Sequence, residues 1–182
     1  MSRLGAIFAG GQARRFGADK AAAELDGQAL LEHVAGRLRP QADALVVVGR
    51  TWHGLPGIAD LPRHGLGPLG ALAGALAHAQ ANGHDEVLTS GCDLPDLPAD
   101  LAGRLTPGPA VIEGQPLLGL WPARLAEPLL AYLAIEEDRS MRRWIVRSGT
   151  RTVPFDRPIA NINTADELAA FVRLSADPRS SR

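Results

Sequence analysis

Three glycines and three cations lie within the eleven residues Gly10-Gly11-Gln12-Ala13-Arg14-Arg15-Phe16-Gly17-Ala18-Asp19-Lys20. Lacking Cβ atoms, Gly10 and Gly11 let backbone N–H groups come close to an anion, and Arg14, Arg15 and Lys20 add positive charge to the same excursion. Amides and cations together would hold a triphosphate here; the competing reading is a surface turn rich in Gly and Arg. Two common phosphate templates do not fit. Lys20 is followed by Ala21 rather than by the Ser or Thr that a Walker loop uses on magnesium, and Gly-x-Gly-x-x-Gly is absent.

Asp93 is the second candidate, within Glu86-Val87-Leu88-Thr89-Ser90-Gly91-Cys92-Asp93-Leu94-Pro95. A carboxylate just past an apolar run could supply the hard oxygen that magnesium takes alongside substrate phosphates. An isolated Asp is more often a turn former or cap, but its place after a strand favours the ligand reading. The third candidate segment is Asp60-Leu61-Pro62-Arg63-His64-Gly65-Leu66-Gly67-Pro68-Leu69-Gly70-Ala71-Leu72-Ala73-Gly74. Gly65 and Gly67 would let a flat base or ribose approach the backbone, whereas Gly70 and Gly74 are equally well explained by close helix packing.

These residues need a frame. Leu4 to Ala9 reads as a buried parallel strand that delivers the Gly-rich loop at its carboxyl end. Helix 28–39, strand 44–49, helix 67–81, strand 86–90 and helix 98–105 follow, with Pro68 opening the third of these elements and Gly83 closing it. The alternation predicts an α/β protein with a parallel sheet covered by helices on both faces, where ligands collect at the carboxyl ends of strands. Further on, strands are expected at 110–112, 116–120 and 152–155, and helices at 123–134, 139–148 and 164–174. Ser140 is the expected cap of the second of these helices, while Thr164 with Glu167 fits a capping box for the last. One domain is expected over 1–174, with 175–182 as a loose polar tail.

In this order the motifs resemble the molybdenum cofactor guanylyltransferase family of the nucleotidyltransferase superfamily. The resemblance is carried by Ala9-Gly10-Gly11 with Arg15, Gly17, Asp19 and Lys20, by Asp60 seven residues before Gly67-Pro68-Leu69, by Cys92-Asp93-Leu94-Pro95, and by Asn161-Ile162-Asn163-Thr164-Ala165-Asp166-Glu167-Leu168. It covers nearly the whole chain. It implies a three-layer, Rossmann-like nucleotidyltransferase fold with a mostly parallel sheet, and transfer of GMP from GTP to the terminal phosphate of molybdenum-molybdopterin with Mg2+ required. By residue, it implies that Phe8, Ala9, Gly10, Gly11 and Lys20 bind the GTP phosphates, Asp60 and Gly67 meet the nucleotide, and Asp93 holds magnesium. Arg15 and Lys20 would offset charge growing on the pyrophosphate, and Asn161 and Asn163 would lie near the pterin, although Asn163 or Thr164 could equally cap the last helix. The chain departs from the family pattern at Phe8 (often Leu), Phe16 (usually Met) and Gly49, where many relatives carry a nucleotide-binding Asn.

Two alternatives belong beside this reading: a nucleotidyltransferase using CTP or another phosphate acceptor, and a nucleotide-dependent cofactor carrier without turnover. Beyond the substrates, transient contact with molybdoenzymes or their chaperones is the expected partnership. The single Cys92 allows neither a disulfide within the chain nor a multi-thiolate zinc site, and reads as a small buried residue. The five histidines show no close pairing; His53 and His64 fall in loops near the cleft, where they either touch substrate or are simply solvated. Trp52, Trp121 and Trp144 are too scattered for a nucleic-acid stacking surface, and core packing is the expectation for the last two. The arginines of Ser140-Met141-Arg142-Arg143 either attract a phosphate or are solvated.

At 182 residues and 46% hydrophobic, the chain is long enough for one large core, and a formal net charge of −1 argues against a general nucleic-acid or membrane-surface binder. The apolar stretch after Met1-Ser2-Arg3 is too short for a signal peptide, and no run approaches a membrane span. With one thiol, the cytoplasm is the expected compartment.

Overall fold

The computed structural model describes residues 1–10, 19–156 and 159–175. In chain order its elements are β1 (Arg3–Phe8), β2 (Glu24–Leu25), β3 (Gln28–Ala29), α1 (Leu30–Leu38), β4 (Ala44–Val48), β5 (Gly57–Ile58), α2 (Gly67–Ala81) and β6 (Glu86–Gly91). They continue with α3 (Leu101–Leu105), β7 (Ala110–Ile112), β8 (Gln115–Pro122), α4 (Ala126–Ile135), α5 (Met141–Arg147), β9 (Arg151–Val153) and α6 (Ala165–Ser175). Seven strands make one sheet in the order β5-β4-β1-β6-β8-β7-β9, and β2 pairs with β3 as a separate hairpin.

Period-two alternation sends side chains to opposite faces of this sheet. Leu4, Ala6, Phe8, Val46 and Val48 join a core under α2, α4 and α5, while Ile7, Leu45 and Val47 join the core under α1 and α3. Strands apolar on both sides must be covered on both sides, which gives the expected three layers. Apart from Pro68, His78 and Gln80, helix α2 is built of Gly, Ala and Leu, so most of it is buried. Gly74 has no room for a side chain, since a Cβ would sit 2.2 Å from the Ala59 carbonyl oxygen. Close packing therefore explains Gly74, and with it Gly70, whose Cβ would lie 2.9 Å from that of Leu66.

The chain passes from β1 through α1 to β4 on one side, then through α2 back across to β6 on the other. This reversal opens a crevice at the carboxyl end of β1, the position at which doubly wound sheets bind ligands. Residues 1–58 and 67–91 accordingly supply the four adjacent parallel strands β5, β4, β1 and β6, and β9 pairs parallel with β7 at the far edge.

Several expected boundaries shift. The helix expected from 28 begins at Leu30, because Asp26 (φ 52°) and Gly27 (φ 76°) turn the chain into the β2–β3 hairpin. The helix expected over 98–105 is only Leu101–Leu105, and that expected from 123 starts with a 3-10 turn before α4. β8 runs on through Trp121 and Pro122 and is antiparallel to β6, since a two-residue Glu113-Gly114 loop permits only a hairpin between β7 and β8. The strand expected over 152–155 is Arg151–Val153. Both caps form as expected: Ser140 Oγ accepts the Arg143 N–H, and Thr164 Oγ1 accepts the Glu167 N–H while Glu167 accepts that of Thr164. Trp121 and Trp144 are core residues. Among the described residues, no helix is long and apolar enough to cross a membrane.

Candidate functional site

Three of the motifs that are distant in sequence meet at the carboxyl ends of β1 and β6. The Lys20 ammonium donates to Asp93 Oδ2 at 2.7 Å and to Asn163 Oδ1 at 2.8 Å, across 73 and 143 residues of chain. The Lys20 and Asp93 side chains are each 16% exposed, so water screens the pair only partly. Asp93 is placed by the turn that follows β6. A Cβ on Gly91 would fall 2.4 Å from Asp93 Oδ1, so only glycine leaves this space to the carboxylate. The loop carrying Asn163 is tied to the same turn: the Ile162 N–H donates to the Asp93 carbonyl at 3.0 Å and the Ile162 side chain is buried with Leu25 and Leu30. The neighbouring Asn161 is exposed.

The start of the Gly-rich loop is held against β4. The Ala9 N–H donates to the Val48 carbonyl at 3.0 Å, and Gly10 packs directly on Gly49. Gly49 has φ +90°, and a Cβ there would lie 2.5 Å from Gly10 Cα. Glycine at this position is thus the contact surface on which Gly10 rests. Phe8 lies in the core, and its carbonyl accepts the Cys92 N–H, joining the two strand ends. Gly11 and Arg15, with Arg14, fall outside the described residues.

Asp60 stands on the other wall. The Leu61 N–H donates to the Gly70 carbonyl at 3.0 Å, and the bare backbone of Gly70 and Gly74 lets the 59–61 segment lie directly on α2. Asp60 Oδ1 is out of reach of water and has no hydrogen-bond donor among the described residues. A buried acceptor left unmatched is costly and marks a place where a donor is expected to arrive. Gly65 and Gly67 both have positive φ and open space above them, which is the backbone reason for glycine at the mouth of α2.

Composition and spacing had given no weight to Arg50. Its two terminal nitrogens each donate to one oxygen of Asp19 at 2.6 Å, in the fork geometry that suits guanidinium and carboxylate. The Arg50 hydrogen bonds hold the Asp19 carboxyl below its ordinary range, and Asp19 in turn raises Arg50. A depressed carboxylate contributes stability that is present above its unfolded pKa and is lost as pH falls through the folded one, so this pair is intact at neutral pH and opens only in acid. Arg50 follows β4 as Asp93 follows β6, and that position was the available signal.

Cys92 is half-buried beside the site. Burial pushes its thiol up to about 11 from 9.0, with the Asp93 carboxylate adding to the shift. Two units mean about a hundredfold less thiolate near neutrality, so iodoacetamide at pH 8 is expected to alkylate the folded protein about a hundredfold more slowly than the urea-unfolded chain. Equal rates, read by mass spectrometry, would contradict this placement. Among the described residues no cluster of three His, Cys, Asp or Glu could hold a metal alone. A single carboxylate completed by substrate phosphates is the usual arrangement for magnesium, and Asp93 supplies that carboxylate at the end of β6.

A doubly wound sheet with Lys20, Asp93 and the unmatched Asp60 carboxylate around its switch-point crevice defines a ligand-binding α/β protein of the doubly wound class. Residues 5–153 match the model of the MobA-like NTP transferase domain. Two relatives named molybdenum cofactor guanylyltransferase, from Rhizobium leguminosarum bv. trifolii and Cereibacter sphaeroides, are 35% and 37% identical over 93% of this chain and 91% and 95% of their own lengths. The molybdopterin-guanine dinucleotide biosynthesis protein A of Archaeoglobus fulgidus shares the fold, with a TM-score of 0.77 at 21% identity over 95% of this chain and 98% of that one. The chain belongs to the MobA-like NTP transferase family and is a nucleotidyltransferase.

Proposed function

We propose that this protein transfers GMP from GTP to the terminal phosphate of molybdenum-molybdopterin, forming the guanine dinucleotide cofactor and pyrophosphate. The observation that carries the reading is the Lys20 ammonium held between Asp93 and Asn163, which joins the nucleotide and acceptor motifs at one point. The names of the relatives supply the two substrates.

In this reading the GTP phosphates lie on the backbone of Phe8, Ala9, Gly10 and Gly11. Lys20 spends two of its three N–H donors on Asp93 and Asn163 and keeps the third for a phosphate oxygen. Asp60 meets the nucleotide, and the exposed turn at Gly67 admits its flat part. Asn161 and Asn163 border the pterin. An oxygen of the pterin phosphate attacks the α-phosphorus, the bond from that phosphorus to the bridging α–β oxygen breaks, and pyrophosphate leaves with the electron pair. The attacking phosphate is already ionised near neutral pH, so no side-chain base is required. Lys20 and Arg15 compensate the charge growing on the leaving group, a matter of positioning and electrostatics rather than covalent catalysis. Asp93 would hold Mg2+, whose contribution when bound is to draw the phosphates together and withdraw charge from them. Residues 1–174 act as one domain, in the cytoplasm, on small-molecule substrates, and the dinucleotide product passes on to molybdoenzymes or their chaperones.

The test is to incubate purified protein with magnesium, molybdenum-molybdopterin and either GTP or CTP, and to follow pyrophosphate and the mass of the pterin product. GMP addition with GTP alone is expected. Turnover with CTP would move the protein to cytidylyl transfer, and nucleotide binding without any product would make it a carrier or assign it another acceptor.

A further inference from the structure

We infer that Arg50 is a positioning residue of this active site, acting through Asp19 to set the place of the Lys20 ammonium; the inference rests on the reading of Lys20 as a phosphate ligand. Lysine carries its charge on a flexible four-carbon stem, so the tip can be placed only if the backbone beneath it is fixed. That backbone is the single 3-10 turn Lys20–Ala22. Its cap is Asp19, whose Oδ1 accepts the Ala21 N–H at 3.2 Å. The same carboxylate is gripped at both oxygens by Arg50, 31 residues further along the chain. Arg50 is itself braced: its guanidinium carbon lies 5.2 Å from the centroid of the Trp52 ring, and Gly49 before it is bonded to Ile58 on β5. A continuous line of contacts therefore runs from the sheet edge at β4 and β5, through Arg50 and Asp19, to the turn bearing Lys20, and on to Asp93 and Asn163.

The fork also explains why the residue is Arg. One guanidinium satisfies both carboxylate oxygens in a single plane and so fixes Asp19 in rotation as well as in distance, which a lysine ammonium cannot do. The pair is partly open to water, 30% at Arg50 and 46% at Asp19, so its weight in global stability is small and its effect is local.

The experiment is a cycle of Arg50→Met, Lys20→Ala and the double variant, with GTP–magnesium affinity measured by calorimetry and kcat/KM for GMP transfer measured alongside. Arg50→Met is expected to lower both by about 10- to 100-fold. In the Lys20→Ala background it should change neither, because its effect is transmitted through that side chain. Arg50→Lys should remain impaired. The inference is overturned if Arg50→Met matches wild type, if it costs the same factor with and without Lys20, or if Arg50→Lys restores full function. Melting temperature serves as the control, with a change of a few degrees at most expected; should Arg50→Met fail to fold, Arg50→Lys in both backgrounds decides the question. If the wild-type protein binds GTP but transfers no GMP, the proposed reaction fails while the affinity cycle still tests Arg50.

Discussion

Asp93→Asn is expected to slow GMP transfer by about a thousandfold while the protein stays folded. The substitution keeps the shape of the side chain and a carbonyl that can still accept from Lys20, 2.7 Å from the present carboxylate oxygen. What it removes is one negative charge at a point where only 16% of either partner's side chain is exposed. In a poorly screened site, that charge decides whether a divalent cation can sit among the phosphates and whether Lys20 is neutralised before the nucleotide arrives. Loss of one preorganised charged group at such a centre costs about a hundred- to a thousandfold in turnover, and loss of the metal's anchor puts this case at the upper end. The measurement is single-turnover GMP transfer across a magnesium titration. A deficit that high magnesium partly repairs supports the metal-anchor role. Turnover within tenfold of wild type would remove Asp93 from the machinery, and a variant defective only in GTP affinity would point to a carrier.

The second large effect concerns the scaffold. Trp121→Ala is expected to lower unfolding free energy by about 3–5 kcal/mol, the cost typical of emptying a fully buried aromatic site. Trp121 has no exposed surface, its indole N–H donates to Thr89 Oγ1 at 3.1 Å, and its ring lies over Gly119, where a Cβ would meet Nε1 at 2.4 Å. Thr89, which accepts the indole N–H, is itself tied to the Leu117 carbonyl at 2.8 Å. Against a domain stability of about 5–15 kcal/mol, such a loss is large, and the midpoint of thermal unfolding should fall by about 10 °C or more. Urea titrations of the wild type, Trp121→Ala and Trp121→Phe would measure it, with the Phe variant keeping most of the packing. A loss below about 1 kcal/mol for Trp121→Ala would mean that β8 does not seal this face of the sheet.

The two outcomes separate the roles of neighbouring strands. β6 leads into the turn that carries Asp93, the proposed magnesium ligand, while β8 beside it holds the buried Trp121. Asp93 can therefore be changed without emptying the core, and Trp121 can be emptied without touching a charged group of the site.

Much of this was legible without coordinates because it is written in local rules. Apolar runs at 4–9, 44–49 and 86–90 correspond to three buried parallel strands, and Gly67-Pro68 with Gly83 bracket the long helix at the boundaries found. Both helix caps followed from local sequence, Ser140 from its residue type at a helix start and Thr164 from the Glu three residues on. The β2–β3 hairpin was missed although Asp26-Gly27 is a strong turn signal, because the helical pattern after it was extended backwards over two strand residues. The antiparallel placement of β8 was missed because a short apolar run does not declare its direction.

The class was legible in the residues alone: which are charged, which glycines bare the backbone, and which strands carry them to the carboxyl edge of a sheet. Which of those residues meet was settled by folding. Lys20 reaches Asn163 across 143 residues, Arg50 grips Asp19 across 31, and Gly49 carries the loop at Gly10 in place of a side chain. Local propensity acts over a few residues through backbone sterics and hydrogen bonding, whereas these contacts depend on strand order and crossover direction, which are settled by how both faces of the sheet are buried at once.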